Sequence, residues 1–235
     1  MEGLFTHFFL SREDKALVIT FFLIAAIIFF AKFLTQKKLQ FCSYLIAITL
    51  LFSELLGFVH LKKLGLWTLA NGLPLHMCDL TLIAGAFFLF SRQQFLYEFL
   101  LYWGFCGALT ALVFPNLVRG DDLFMLINYY LTHGGIILTA LWATFALRYK
   151  PRKGSILQVF LYSQILIPLV GGLNWLLGTN YMFMRNLDGI DSPIPINIFP
   201  YHFILIELCG LLGFFCVYLP FYVKRKFFST EFNEK

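Results

Sequence analysis

The sequence predicts an all-α membrane protein: a helical bundle of about seven transmembrane helices, with the N-terminus outside and the C-terminus cytoplasmic. Three observations carry that prediction. First, 60% of the 235 residues are hydrophobic and only 13% are charged, with a mean hydropathy of +0.78. A soluble domain needs about a quarter of its residues charged to cover its surface, so the solvent for most of this surface is lipid. Second, the apolar residues fall in runs near the about 20 residues that cross a hydrocarbon core. Third, two thirds of the 18 lysines and arginines lie in the C-terminal tail and the loops on one side, which marks that side as cytoplasmic.

The spans follow in order. The first, 16–33, is too long for a signal-peptide core, lacks a small-residue cleavage site and runs into Lys37 and Lys38, so it reads as a retained span. The second, 39–60, lies between "TQKKL" and "KKLGLWTLANG". The third, 74–90, opens on Pro74 and stops at "SRQQ"; the fourth, 95–114, stops at "PNLVRGDD". The fifth, 123–146, is closed by "RYKPRKGS", the sixth is 155–177, and a long connection over 178–197 leads to the seventh, 198–222. Lipid cannot pair backbone polar groups, so these segments must be helices. No internal repeat stands out, and residues 1–235 read as one transmembrane domain.

Composition also excludes function classes. The five cysteines are odd in number, lie inside or at the edge of apolar runs and form no CxxC pair, so neither a disulfide framework nor a zinc site is expected. The histidines lack ligand spacing with carboxylates or thiols on one helix. No metal and no cofactor is therefore expected. The net charge of +5 resides in short loops and does not point to nucleic acid.

Ionisable groups inside spans are costly and mark functional sites by default. Glu54, Cys78, His133, Asn174 and His202 come from five different spans and all fall in the outer part of the bilayer. The inner halves are nearly all Phe, Leu and Ile, apart from Glu98, near enough to the interface to snorkel, and Glu207 near mid-span. Such asymmetry fits a pocket opening toward the outer leaflet better than a pore. Each residue also has a structural reading: Glu54 as an interhelical hydrogen-bond acceptor, Asn174 as glue between helices, His60 as an interfacial group.

The stretch "LPLHMCDL", Leu73 to Leu80, is the most informative. With Pro74 in the first turn, Cys78 sits near the positive end of the helix dipole, which favours the reactive thiolate; the carboxylate of Asp79 opposes it. At about 100° per residue His76 lies on nearly the opposite face from Cys78, while His76 and Asp79, three apart, share a face. A base for Cys78 therefore comes from another helix. His133 is the natural choice, flanked one turn earlier by Tyr129 and Tyr130 and followed by Gly134 and Gly135, which admit a close neighbour. Counting about 1.5 Å per residue, Cys78 lies about 6 Å deep and His133 about 15 Å, a mismatch for a reacting pair.

The motifs "LPLHMCDLTLIAG", "YWGFCGALTALVFPN", "YYLTHGGIIL" and "GTNYMFM" together resemble the YwaF-like bacterial integral membrane protein family. That family is similar to the transmembrane protein 164 acyltransferase family, and both look distantly related to the androgen-induced membrane hydrolases. The resemblance covers about Pro74 to Tyr201. It implies that Cys78 is an acyl acceptor and His133 its partner. Two elements depart from the family pattern: "FPYH" (Phe199 to His202) stands where a "WPWY"-like element is usual, and "RNLDGID" where a lysine–proline step is usual.

The function expected from these readings is acyl transfer or hydrolysis on a membrane phospholipid through a Cys–His thioester. Asn174, Asn180 and Tyr181 are the expected oxyanion donors, and Arg185 the expected contact to a lipid phosphate. His76, Asp79, Glu54, Tyr129, Tyr130 and His202 are expected to support the site. A lysophospholipid acceptor makes the protein an acyltransferase and water makes it a hydrolase. The partners expected are phospholipids and lysophospholipids, and the location a bacterial inner membrane. The rival reading is a transporter or a lipid or small-molecule binding protein using Glu54, Asp79 and His133. Seven spans without an inverted repeat count against it.

Overall fold

The computed structural model describes residues 11–117, 120, 122–188 and 195–227. Seven helices follow one another: α1 (Arg12–Ala31), α2 (Gln36–Lys63), α3 (Met77–Ser91), α4 (Gln94–Val113), α5 (Leu123–Ala146), α6 (Ser155–Leu177) and α7 (Tyr201–Phe227). All but α3 are long and apolar enough to cross a membrane, and the expected all-helical bundle is what the chain forms. Helix α1 begins four residues earlier than the apolar run because Ser11 and Asp14 form a capping box, each accepting from the other's backbone N–H at 3.0 Å. That pairing satisfies two of the donors a helix start leaves open.

Helix α3 differs most from expectation. It starts at Met77, three residues after Pro74, and has 15 residues, which at about 1.5 Å each fall short of a ~30 Å hydrocarbon core. The Asp79 carboxylate accepts from the His76 backbone N–H at 3.1 Å, so His76 is the N-cap and Pro74 lies in the turn before it. Helices α4 and α5 each carry a π-helical stretch, Leu100–Gly104 and Trp142–Ala146. At each the wider turn pushes aromatic side chains, Tyr102 and Trp142, into full burial.

The core sits between α2, α3, α4 and α5, around Leu50, Leu82, Phe88, Leu89, Ile136 and Trp142. The tandem glycines of α5 make this possible: a Cβ on Gly134 would run into Thr20 of α1, and one on Gly135 into Leu50 of α2. Faces of α1, α6 and α7 point outward with Phe22, Leu161, Leu169, Trp175, Leu212 and Phe215 exposed, as a lipid-facing surface requires.

The inner halves are less purely apolar than expected. Glu98 is fully buried and does not snorkel. Its carboxylate accepts from Arg152 Nη2 at 2.7 Å, Arg152 Nε at 3.0 Å and Gln94 Nε2 at 2.9 Å. Nearby Trp142 donates to Ser43 at 2.9 Å, and Tyr102 and Ser155 share a hydrogen bond at 2.7 Å. These groups satisfy one another inside the protein, the condition for burying them.

Candidate active site

A cavity of about 510 Å³ lies between α2, α3, α4, α5, α6 and α7. Cys78, Asp79 and His76 reach it from α3 and its cap, His133 and Tyr129 from α5, and Glu54 from α2. All six were singled out from the sequence. Glu207 of α7, expected near mid-span, also lines the cavity and accepts from Gln164 Nε2 of α6 at 2.8 Å.

The depth mismatch between Cys78 and His133 disappears in three dimensions. A Cβ added to Gly104 of α4 would lie 3.6 Å from Thr81 Cβ and 2.9 Å from Ile136 Cγ2, so Thr81 and Ile136 face each other across that glycine. One on Gly85 would lie 3.5 Å from Thr139 Cγ2. Both pairs advance together along the chain, so α3 and α5 run parallel. Three residues before Thr81 and Ile136 stand Cys78 and His133, which are therefore level. Counting from the span starts assumed that every helix begins at the membrane surface. In fact α3 begins only at Met77, after a largely exposed non-helical segment that starts at Leu64.

That segment is held by the connection between α6 and α7. Tyr181 is fully buried; its hydroxyl donates to the Leu69 carbonyl at 2.6 Å and accepts from the Leu73 N–H at 3.0 Å. The His76 ring packs against Tyr181 and Phe183, with centroids 5.1 and 5.2 Å away, and its Nδ1 accepts from the Met182 N–H at 3.4 Å. His76 thus ties the start of α3 to the connection.

The expected oxyanion donors have different work. Asn174 Nδ2 donates to the Tyr181 carbonyl at 2.9 Å, and its Oδ1 accepts from the Tyr181 N–H at 2.8 Å and the Thr179 hydroxyl at 2.9 Å. Asn180 Nδ2 donates to the Asn186 carbonyl at 2.9 Å and its Oδ1 accepts from the Arg185 N–H at 2.8 Å. His202 Nε2 bonds the Phe183 carbonyl at 3.0 Å. None of Asn174, Asn180, Tyr181 and His202 is in the cavity wall; together they latch Met182 and Phe183, which are. Those two residues hold φ of 58° and 54°, a left-handed backbone costing roughly 1–2 kcal/mol each for a side-chain-bearing residue, and the latch offsets that strain. Arg185 is exposed on the connection, outside the cavity wall. Tyr130 is buried but also outside it, within electrostatic reach of Glu13 and Asp14 of α1.

His133 is oriented by its own helix. Nδ1 lies 2.9 Å from the Tyr129 carbonyl, which can only accept, so Nδ1 carries the hydrogen and Nε2 is the basic nitrogen. The Tyr129 ring lies 4.2 Å from the imidazole, centroid to centroid, and is within electrostatic reach of Cys78. The Tyr129 hydroxyl donates to the Ala111 carbonyl at 2.7 Å. Cys78 Sγ faces Gly107 of α4, where an added Cβ would stand in ordinary contact with it at 3.7 Å. As the second residue of α3, Cys78 stands nearer the positive helix end than a start at Pro74 would put it. Among the described residues no group of three or more His, Cys, Asp or Glu is arranged to hold a metal ion.

Residues 7–218 match the TMEM164 family. The chain belongs to that family. The match extends well beyond the 74–201 stretch in which the motifs resemble it and takes in α1 and α2. A TMEM164-family chain with this cavity is also 27% identical over 152 residues to an uncharacterized protein of Treponema pallidum (strain Nichols), a match covering 64% of this chain and 63% of that protein. No solved structure matches.

The cavity wall also includes residues that sequence reasoning passed over: Trp103 and Thr110 of α4, Asn116 after it, and Asn128 and Thr132 of α5. Asn116 stood inside the quoted motif "YWGFCGALTALVFPN". A polar residue directly after a helix-ending proline was the available signal.

Proposed function

We propose that this multi-pass membrane protein is a Cys–His acyl-transfer enzyme acting on membrane phospholipids, in the cytoplasmic membrane of a bacterium. The observation that supports it best is the common level of Cys78 and His133 in the wall of one cavity. His133 Nε2 takes the Cys78 thiol proton as the sulfur bonds to the ester carbonyl carbon of a phospholipid, and the C=O π pair moves to oxygen. The pair then returns, the ester C–O bond breaks, and the leaving alkoxide takes the proton from His133. A thioester on Cys78 and a lysophospholipid result. In the second half His133 deprotonates the acceptor hydroxyl, which bonds to the thioester carbon. The C–S bond breaks and the sulfur is reprotonated. A lysophospholipid acceptor gives transfer; water gives hydrolysis.

Glu54, Asp79 and Glu207 give the cavity its acidic groups. Asp79 caps α3 and holds Cys78 in its first turn; Gln164 steadies Glu207. The acyl chain runs among the apolar wall residues Leu82, Ile136, Ile167, Phe203 and Ile206.

Intact mass after incubation with phospholipid vesicles tests this reading, with wild type beside Cys78→Ala and His133→Ala. The expected result is a hydroxylamine-sensitive acyl adduct on wild type, none on Cys78→Ala, and formation slowed by about 10²–10⁴-fold in His133→Ala. Undiminished lipid turnover by Cys78→Ala would sink the thioester mechanism. Loss of lipid movement in Glu54→Gln with no adduct on wild type would favour transport instead.

A further inference from the structure

The latch roles of Asn174, Asn180 and Tyr181 leave the tetrahedral oxyanion without its expected donors. We propose that Asn116 supplies one, through Nδ2; the inference rests on the Cys–His reading above. Asn116 Nδ2 is buried and has no hydrogen-bond partner among the described residues, a rare condition for a donor in a folded protein. Asn116 lines the same cavity as Cys78 and His133. An acceptor arriving only with substrate explains why the protein keeps such a donor there.

The backbone fixes Asn116 in place. Pro115 cannot continue α4, and the residue before a proline is driven out of the helical region: Phe114 has φ −120° and ψ 74°. The chain turns, and the Asn116 N–H donates to the Tyr129 hydroxyl at 3.4 Å. Tyr129 is the ring that lies against His133 at 4.2 Å and within reach of Cys78. One tyrosine thus ties base, nucleophile and donor together. As the Cys78–carbon bond forms and the carbonyl π pair moves to oxygen, the Nδ2–H donates to that oxygen. When the pair returns and the ester C–O bond breaks, the hydrogen bond weakens and Asn116 is unchanged. Such a donor is strongest where charge develops in a water-poor site.

The test compares two reactions at one sulfur, using p-nitrophenyl octanoate and iodoacetamide as probes, on wild type, Asn116→Ala and the near-isosteric Asn116→Leu. The ester passes through an oxyanion. Iodoacetamide alkylates by forming C–S as C–I breaks, with no oxyanion. The expected result is Cys78 acylation slowed about 10²–10³-fold in both variants, with Cys78 alkylation, followed by peptide mass, unchanged. Asn116→Leu also removes an unpaired buried donor, so its melting temperature should equal or exceed wild type. Wild-type acylation rates in the variants would overturn the role of Asn116 while leaving the Cys–His reading intact. Parallel loss of acylation, alkylation and thermal stability would make Asn116 a packing residue and overturn the proposal. No Cys78 adduct on wild type would overturn the Cys–His reading and this proposal with it.

Discussion

Glu98 is fully buried, and Arg152 meets its carboxylate with two side-chain nitrogens, Nε and Nη2, while the Arg152 backbone N–H donates to it as well at 2.8 Å. Removing one partner of such a pair leaves a buried charge without compensation, worth about 3–5 kcal/mol when both partners are buried. The Arg152 side chain is half exposed, so Arg152→Ala should lower unfolding free energy by roughly 2–3 kcal/mol, measurable by denaturant titration in detergent. Glu98→Gln, which removes the charge and keeps much of the shape, should cost less. Tyr129 offers a finer test. Tyr129→Phe keeps the ring beside His133 but drops the hydroxyl that bonds the Ala111 carbonyl and the Asn116 N–H. A neutral hydrogen bond contributes about 0.5–1.5 kcal/mol to stability, so Tyr129→Phe should lower unfolding free energy by roughly that much, and acylation of Cys78 should slow as the site loosens. Equal rates would show that the hydroxyl does not hold the site's geometry.

Among the elements, α3 and the α6–α7 connection act as a unit. Asn174 makes three of the connection's hydrogen bonds, two of them to the Tyr181 backbone. Asn174→Ala leaves those buried backbone groups unpaired at about 1–3 kcal/mol each. The connection should then open: limited proteolysis within it should quicken and acylation should fall, while α1 and α2 keep their protection against hydrogen exchange. The start of α5 gives a pH dependence. Desolvation pushes the Asp122 carboxyl up, but the Met125 N–H, His60 and the Phe124 N–H outweigh it and hold it below its ordinary value of 3.8. A lowered carboxyl stabilises the folded state fully above that ordinary value and ceases to do so as pH falls through the lowered one. Exchange of the Phe124 and Met125 amides, both of which Asp122 caps, should therefore rise only below about pH 4. His60 bonds Asp122 at 3.2 Å, so His60→Ala should move that rise to higher pH.

For the whole molecule, one apolar exterior and one partly polar cavity divide the labour. Closing α1 and α2 onto α5 requires Gly134 and Gly135, and Gly135→Ile would drive a side chain into Leu50. Overpacking of this kind costs about 1–3 kcal/mol, so the thermal transition should fall in temperature.

The sequence by itself determined the helices. Their ends fall within five residues of the apolar runs, because lipid leaves a hydrophobic backbone no alternative to internal hydrogen bonds. It also marked Cys78, His133, Glu54, Asp79 and Tyr129, because polar side chains in such runs are too costly to be incidental. Local chemistry was legible too, as in the pairing of His76 with Asp79 three residues on, which caps the start of α3. Only the tertiary structure decided what these residues can reach. Cys78 came level with His133 through the parallel packing of α3 and α5, and Tyr181, about a hundred residues away, bonds Leu69 and Leu73 just before α3. Asn174 and Asn180 proved to be latches, and Asn116 a donor without a partner among the described residues, for the same reason. A hydrogen bond between segments distant in sequence leaves no periodicity or spacing to read, and it is set only when the helices have packed.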